Sequence, residues 1–381
     1  MLRAQHSARV TYIELFFDLV FVFAVTQLSH GLLHHLDVPG AARTLFLFMA
    51  VWWVWIYTSW VTNWLDPERT PVRLAILALT LAGLLLATAI PDAFGDHAWL
   101  FAGTYVAMQL GRSLFMLWAL ASEAPRHRRN FQRITLWLAV SGALWLLGAA
   151  LPELRAPGWI AALIIEYLGP SQGFFVPGLG RSATQDWDVE GGHMAERCAL
   201  FVIIALGESL VDMGEAFIDL PSSLTAYQGL GAGFLASIAM WWLYFDTGAE
   251  RGSQIIAKSE DPGRLARLAY TYLHLPIIAG IIVDAVADAL ALDHPAEAVG
   301  NAMVATMLGG PAIYVLGLIC FKMVMQRRRL PPFSHLGCLA MLALLLVFGR
   351  SLSVLALACW VSLVLMLTAL WETLSLRQAE L

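Results

Sequence analysis

The chain reads as an all-α, polytopic integral membrane protein of about twelve transmembrane helices, laid out as two parallel six-helix repeats at residues 1–185 and 186–381. Three observations predict this: an apolar composition, hydrophobic runs of spanning length, and basic residues confined to alternate connections. Of 381 residues, 59% are hydrophobic and 13% charged, with mean hydropathy +0.69. Soluble domains carry roughly a quarter charged residues. The net charge of −5 says little about nucleic acid, but no basic face and no aromatic RNA-binding motif appears, and no nucleic-acid partner is expected.

Apolar runs of about 18–25 residues, the length that crosses hydrocarbon as a helix, fall near 12–33, 42–64, 72–91, 98–121, 131–151, 157–176, 194–213, 226–246, 265–290, 299–321, 334–349 and 352–372. The first is too long and too acidic for a cleavable signal peptide and reads as a retained span. The sixth is cut by Gly169-Pro170. The ninth holds Pro276 and is expected to tilt or kink there. Gly349-Arg350-Ser351 divides the last two. Cys198, Cys320, Cys338 and Cys359 all lie in apolar segments without CxxC spacing, which reads as packing and implies no disulfide framework and no zinc site.

The charge pattern tests this count. With a cytoplasmic N-terminus, 19 of the 23 basic residues fall on inner segments, while only Arg43, Arg155 and Arg350 fall on outer ones and Arg112 lies inside a span. That bias fits twelve spans with both termini cytoplasmic.

The halves also resemble each other. Glu14-Leu-Phe-Phe-Asp18 parallels the segment from Glu196 at the start of spans one and seven. Trp52-Trp53 parallels Trp241-Trp242, followed at similar spacing by Thr58 and Thr247. Asp66-Pro67 parallels Asp261-Pro262, each opening the next span. Six spans per copy is an even number, so the copies insert in the same orientation, as in transporters whose sites lie at the repeat interface.

The polar residues inside these runs need an explanation, because a carboxylate near mid-bilayer costs about 2.5–3.5 kcal/mol even on insertion scales. Glu14 and Asp18 are four apart, on one helix face. Asp18 and Arg112 lie at similar depth from the cytoplasmic ends of their spans, so an Asp18–Arg112 pair is geometrically possible, either as a helix-register pair or as part of a site. His193, Glu196 and Arg197 share a face where span seven begins. Glu208 lies deeper, between the small residues Gly207 and Ser209, either as an interhelical contact or as a functional acid. Glu166 sits one turn before Gly169-Pro170, where a broken span would line a pathway or simply end in a loop. Asp284 and Asp288, near the outer end of span nine, read as a solvated helix end or as part of an acidic vestibule with Asp212, Glu215 and Asp219.

Catalytic motifs are thin. There is no G-x-S-x-G, no H-E-x-x-H and no usable P-loop. The His30, His34, His35 and Asp37 cluster is one histidine box on the outer side, and its reading is a solvated helix end rather than a metal site. No cofactor is expected.

Two blocks carry a family resemblance. The first is Arg9-Val-Thr-Tyr-Ile-Glu14-Leu-Phe-Phe-Asp18 with Gln27-Leu-Ser29; the second runs from Asp186-Trp187-Asp188 through His193-Met-Ala-Glu196-Arg197 to Gly207-Glu208-Ser209. Together they resemble the bacterial low temperature requirement protein A family over essentially the whole chain. The resemblance implies a polytopic protein of the bacterial inner membrane and assigns no biochemical activity. The Phe-Phe-Asp18 element is also similar to the Phe-Ser-Asp motif of the lysosomal potassium and proton channel family, although Leu200 replaces the acid in the second repeat.

The leading functional expectation is a transporter or channel in which Glu14, Asp18, Glu196 and Glu208 line a polar core, with Arg112 as counter-ion, Glu166 at the break, and His193 and Arg197 beside them. Its partners would be the bilayer and a small molecule or ion. A membrane-embedded enzyme acting on a lipid or isoprenoid through Glu/Asp acid–base pairs is the second reading. A non-transporting scaffold or stress protein is the third.

Overall fold

The computed structural model describes residues 1–2, 9–121, 125–183, 187, 189–246, 250–326 and 330–380. Of the features read from sequence, Arg3, Asp186, Asp188, Thr247, Arg327, Arg328 and Arg329 lie outside these residues, as do the side chains of Arg126 and Arg251. The described chain is all-helical. Its helices are α1 (Tyr12–His34), α2 (Val38–Trp64), α3 (Thr70–Ala89), α4 (Ala98–Ala119), α5 (Pro125–Ala150), α6 (Pro152–Leu168), α7 (Gly191–Ile218), α8 (Leu224–Tyr244), α9 (Glu250–Ala257), α10 (Pro262–Leu265), α11 (His274–Asp293), α12 (Asn301–Met325), α13 (Phe333–Phe348) and α14 (Val354–Glu380).

Among the described residues, eight helical stretches are long and apolar enough to cross a membrane: α1, α2, α3 with its extension to Asp92, most of α5, the continuous stretch Pro262–Asp293, α12, α13 with its extension to Ser351, and α14 up to Arg377. The other four expected runs coincide with α4, α6, α7 and α8. They stand out less because α6 has only 17 residues, α4 holds Arg112 and Gln109, and α7 is charged at both ends. The apolar residues of α3 face both ways. Val72, Ile76 and Gly83 are buried, while Leu74, Leu77, Leu81, Leu84 and Leu85 are exposed. A helix that is hydrophobic on its outer face as well belongs in lipid.

Local sequence sets the helix ends. Glu14, three residues after Thr11, accepts the Thr11 N–H at 2.9 Å, the reach-back half of a capping box. Ser223 caps α8 by accepting from the Ala226 N–H at 3.2 Å. Asp261 accepts from the Arg264 N–H at 3.0 Å with Pro262 in the first turn of α10, the arrangement that favours a helix start. Asp66 does less than its counterpart: it holds a turn, accepting from the Glu68 N–H at 3.0 Å, and α3 opens at Thr70. The expected distortion of span nine lies just before Pro276. Residues Ala266–Tyr272 wind as a π-helix, because proline has no N–H to return to the preceding turn. The His274 ring meets the Ala269 carbonyl there at 2.9 Å.

The chain divides into two compact units. The first comprises Met1–Gln27, Phe46–Arg197 and Ser259–Arg267. Its core is aromatic, with Trp145 and Trp159 at 5.1 Å between centroids, Tyr105 against Trp145 at 4.6 Å, and Trp53 stacked on Tyr167 at 3.9 Å. The second comprises Leu28–Leu45, Cys198–Lys258 and Leu268–Leu381. There α11 and α12 approach through small residues: a Cβ on Gly280 would lie 2.6 Å from the Tyr314 backbone nitrogen, and one on Gly310 would lie 2.8 Å from that of Asp284. Glycines allow such backbone contact between membrane helices.

Gly280→Ala is therefore expected to destabilise the protein by about 1–3 kcal/mol through overpacking against immovable backbone. Gly31→Ala, which meets nothing within 4 Å, should be neutral or slightly stabilising. Denaturant unfolding of the detergent-solubilised variants measures the difference.

Candidate functional site

In the first unit the N-terminal turns of α1 and α7 place Glu14, Asp18, His193 and Arg197 together, each fully buried. Four-residue spacing puts each pair on one face of its own helix. Arg197 Nη2 donates to Asp18 Oδ1 at 2.7 Å, and Nη1 lies 3.4 Å from Glu14 Oε1. The guanidinium also lies over the Trp55 ring at 5.7 Å, a cation–π position. Trp55 Nε1–H donates to the same Asp18 oxygen at 2.7 Å. The other Asp18 oxygen, Oδ2, is buried with no hydrogen-bond partner among the described residues.

Asn63 fixes the state of His193. Its amide oxygen accepts the Glu190 N–H at 2.9 Å, and its amide nitrogen donates to the Glu190 carbonyl at 2.9 Å. The amide orientation is thus set by backbone, and the same NH₂ group faces His193 Nδ1 at 3.1 Å. Nδ1 must accept, so the proton is on Nε2, which donates to Glu14 Oε1 at 2.8 Å. The imidazole is neutral in this arrangement. With both acids ionised, the group of four would hold two negative charges against the one guanidinium.

This corrects the expected Asp18–Arg112 pair: the cation on Asp18 is Arg197. Arg112 instead donates to the Val54 carbonyl at 3.0 Å, to Thr58 Oγ1 at 2.8 Å, and to Gln109 Oε1. Gln109 passes its amide on to Glu166 at 2.9 Å, where Tyr105 O–H donates at 2.6 Å and Trp145 Nε1–H at 3.1 Å. Glu166 is thus an enclosed, multiply bonded acceptor, and the helix that carries it ends regularly at Leu168.

Glu196, expected on the His193–Arg197 face, accepts the Val10 N–H at 3.1 Å and is half-buried. Glu208 belongs to the second unit, half-buried and close enough to Asp212 to repel it. His30 lies 3.8 Å from Asp212 with half its side chain exposed. Among the described residues no group of three or more His, Cys, Asp or Glu is placed to hold a metal ion.

The second unit contains a further network that sequence reading missed. Lys322 reads from sequence as an inner-segment charge, yet it is buried beside Glu372 and His335. Lys322 Nζ is buried and donates to Glu372 Oε1 at 2.8 Å and to the Leu243 carbonyl at 3.2 Å, with His335 Nε2 at 3.3 Å. The available signal was Glu372 itself, an acid inside the last apolar run. Asp284 and Asp288, read as a solvated end, are both buried because α11 continues to Asp293.

Asn63→Ala removes the group that orients His193 and the acceptor of the part-buried Glu190 N–H, while the Glu190 carbonyl keeps the Met194 N–H. A loss of about 1–3 kcal/mol is expected, against less than about 0.5 kcal/mol for the exposed Thr88→Ala; chemical denaturation of both variants tests this.

Comparison with known proteins follows the same residues. No solved structure matches the chain. A curated relative from Rhizobium meliloti (strain 1021), described as uncharacterized protein RA0937, is 38% identical over 373 residues, covering 97% of this chain and 90% of the relative. The family model described as bacterial low temperature requirement A protein matches residues 9–370, a range that includes Glu14, Asp18, His193 and Arg197. The chain belongs to the bacterial low temperature requirement A protein family.

Proposed function

We propose that this protein is a proton- or cation-linked transporter or channel of the bacterial inner membrane, with about twelve spans in two parallel six-helix repeats and both termini cytoplasmic. The observation that carries the reading is the Glu14–Asp18–His193–Arg197 group. It is fully buried, sets two acids against one permanent cation, and leaves Asp18 Oδ2 without a hydrogen-bond partner among the described residues. Buried charge of this kind is expensive for folding alone and marks ion or proton pathways in membrane proteins. A proton on Asp18 Oδ2 would neutralise the group, and its loss would restore the charge.

The repeat layout is supported by matching bonds inside the two units. Val54 and Leu243 follow the paired tryptophans Trp52-Trp53 and Trp241-Trp242. The carbonyl of each accepts from a buried cation four helices into its repeat, Arg112 in one and Lys322 in the other. Each cation then leads to an acid on the sixth helix, Glu166 through Gln109 and Glu372 directly. The predominance of Lys and Arg on alternate connections supports cytoplasmic termini.

The lipid-enzyme alternative draws on one feature, an apolar cavity of about 350 Å³ between α2, α3 and α4 with Arg112 in its wall. It suits an acyl chain, yet its lining contains no carboxylate to serve as acid or base.

Proteoliposomes with a trapped pH dye and a valinomycin-imposed potassium potential test the transport reading. Wild type should collapse an imposed proton or sodium gradient faster than protein-free vesicles. Asp18→Asn should slow that flux about tenfold or more, the effect of over 1.4 kcal/mol on a barrier; Glu208→Gln tests the second-unit acid in the same assay. Wild-type vesicles no leakier than protein-free ones to H⁺, Na⁺ or K⁺, or Asp18→Asn equal to wild type, would contradict it.

A further inference from the structure

The buried acids of this protein fall into two classes. Glu14 and Asp18 meet Arg197, Glu372 meets Lys322, and Glu166 is saturated by neutral donors, one of which, Gln109, also receives a donor from Arg112. Asp284 and Asp288 differ. They lie four residues apart on one face of α11 in the second unit, 4% and 6% exposed, and neither meets a cation among the described residues. Each instead raises the cost of the other through like-charge repulsion. The buried cation on the adjoining helix is distant: α12 touches Asp284 at Gly310, and Lys322 lies about 18 Å further along that helix at 1.5 Å per residue.

The surroundings are shaped by small and soft groups. Ser209 of α7, 3% exposed, lies within reach of the Asp288 carboxylate, and its Oγ makes no well-formed hydrogen bond among the described residues. Asp288 Oδ2 is likewise buried and unpartnered. A Cβ on Gly233 of α8 would lie 2.8 Å from Asp288 Oδ1 and 2.3 Å from Met213 Sδ, so glycine keeps the carboxylate's flank clear. Two permanently protonated acids would need acceptors for their O–H groups, and a serine hydroxyl beside a neutral acid would normally bond to it. Two buried oxygens here, Ser209 Oγ and Asp288 Oδ2, lack well-formed bonds among the described residues, and clustered oxygens with spare lone pairs are the surroundings a hard cation takes.

We propose that Asp284, Asp288 and Ser209 form a binding site for a dehydrated hard cation, held through carboxylate and hydroxyl oxygens in the second unit. Charge balance admits a sodium-class ion with one proton retained on the pair, or a divalent ion with none. The inference deepens the transport reading by naming an ion site for it, and it is tested by binding, so that failure of flux and failure of the site are read separately.

The test is thermal unfolding of purified, detergent-solubilised full-length protein in choline chloride, with NaCl, CaCl₂ or MgCl₂ replacing choline at constant ionic strength. Binding to the folded state alone should raise the wild-type melting temperature by at least about 3 °C at saturating ion. The responding salt identifies the ion as monovalent or divalent. Asp284→Asn/Asp288→Asn, which removes the buried charges, should fold and lose the shift. Gly233→Ala and Ser209→Ala should weaken it at least about fivefold in half-maximal concentration. A wild-type melting temperature indifferent to all three salts overturns the proposal, and so does a shift that survives unchanged in the double Asn variant.

Discussion

Arg197 holds two carboxylates of α1 at once, and the polar groups at the starts of α1 and α7 are arranged around it. The guanidinium needs oxygen acceptors because it is fully buried, and Asp18 and Glu14 supply them at 2.7 and 3.4 Å. Each acid is in turn anchored elsewhere, Asp18 by Trp55 and Glu14 by Thr11 and His193. His193 is oriented by Asn63, and Asn63 by the Glu190 backbone just ahead of α7. Breaking a buried pair by removing one partner costs about 3–5 kcal/mol, because the other charge is left uncompensated. The turns that open α1 and α7 are thus tied together by electrostatics as much as by packing.

That arrangement does two jobs that pull in opposite directions. As a fastener it should be neutral and fully bonded, and the Glu166–Gln109–Arg112 network meets that description, while the Lys322–Glu372 pair balances its charge but leaves Glu372 Oε2 without a hydrogen bond among the described residues. The Arg197 group does not meet it, since it sets two acids against one guanidinium and leaves an oxygen of Asp18 without a hydrogen-bond partner among the described residues. Departures from full polar satisfaction at membrane depth are where function is expected. Glu14 is different in kind. Its reach back to Thr11 caps α1, so it has a local structural reason to be there whatever the protein moves.

Much of this was legible from the chain. The long apolar runs, the distortion before Pro276 and the break at Gly349-Arg350-Ser351 follow from length, proline and glycine, and the structure has them. Glu14 and Asp18 are identifiable as acids inside an apolar run, and His193 and Arg197 as polar residues sharing a face where span seven begins. Their pairing is not, because depth along a helix is one coordinate and says nothing about which neighbour lies beside it; Arg112 matched Asp18 in depth and turned out to serve Val54, Thr58 and Gln109. Asn63 and Trp55 were overlooked inside a tryptophan-rich run. Asp284, Asp288 and Lys322 were misplaced for a different reason: helix ends are the least certain part of a hydropathy reading, and one extra turn moves a charge from the interface to the interior.

A double-mutant cycle between Asp18 and Arg197 tests the central claim most directly. Unfolding free energies of wild type, Asp18→Asn, Arg197→Met and the double variant should show strong coupling. The double variant is expected to be more stable than the Arg197→Met single variant, with an interaction energy of at least about 2 kcal/mol. Effects that add to within about 0.5 kcal/mol would contradict the account, since the two side chains would then contribute independently and Arg197 would not be the partner on which Asp18 depends.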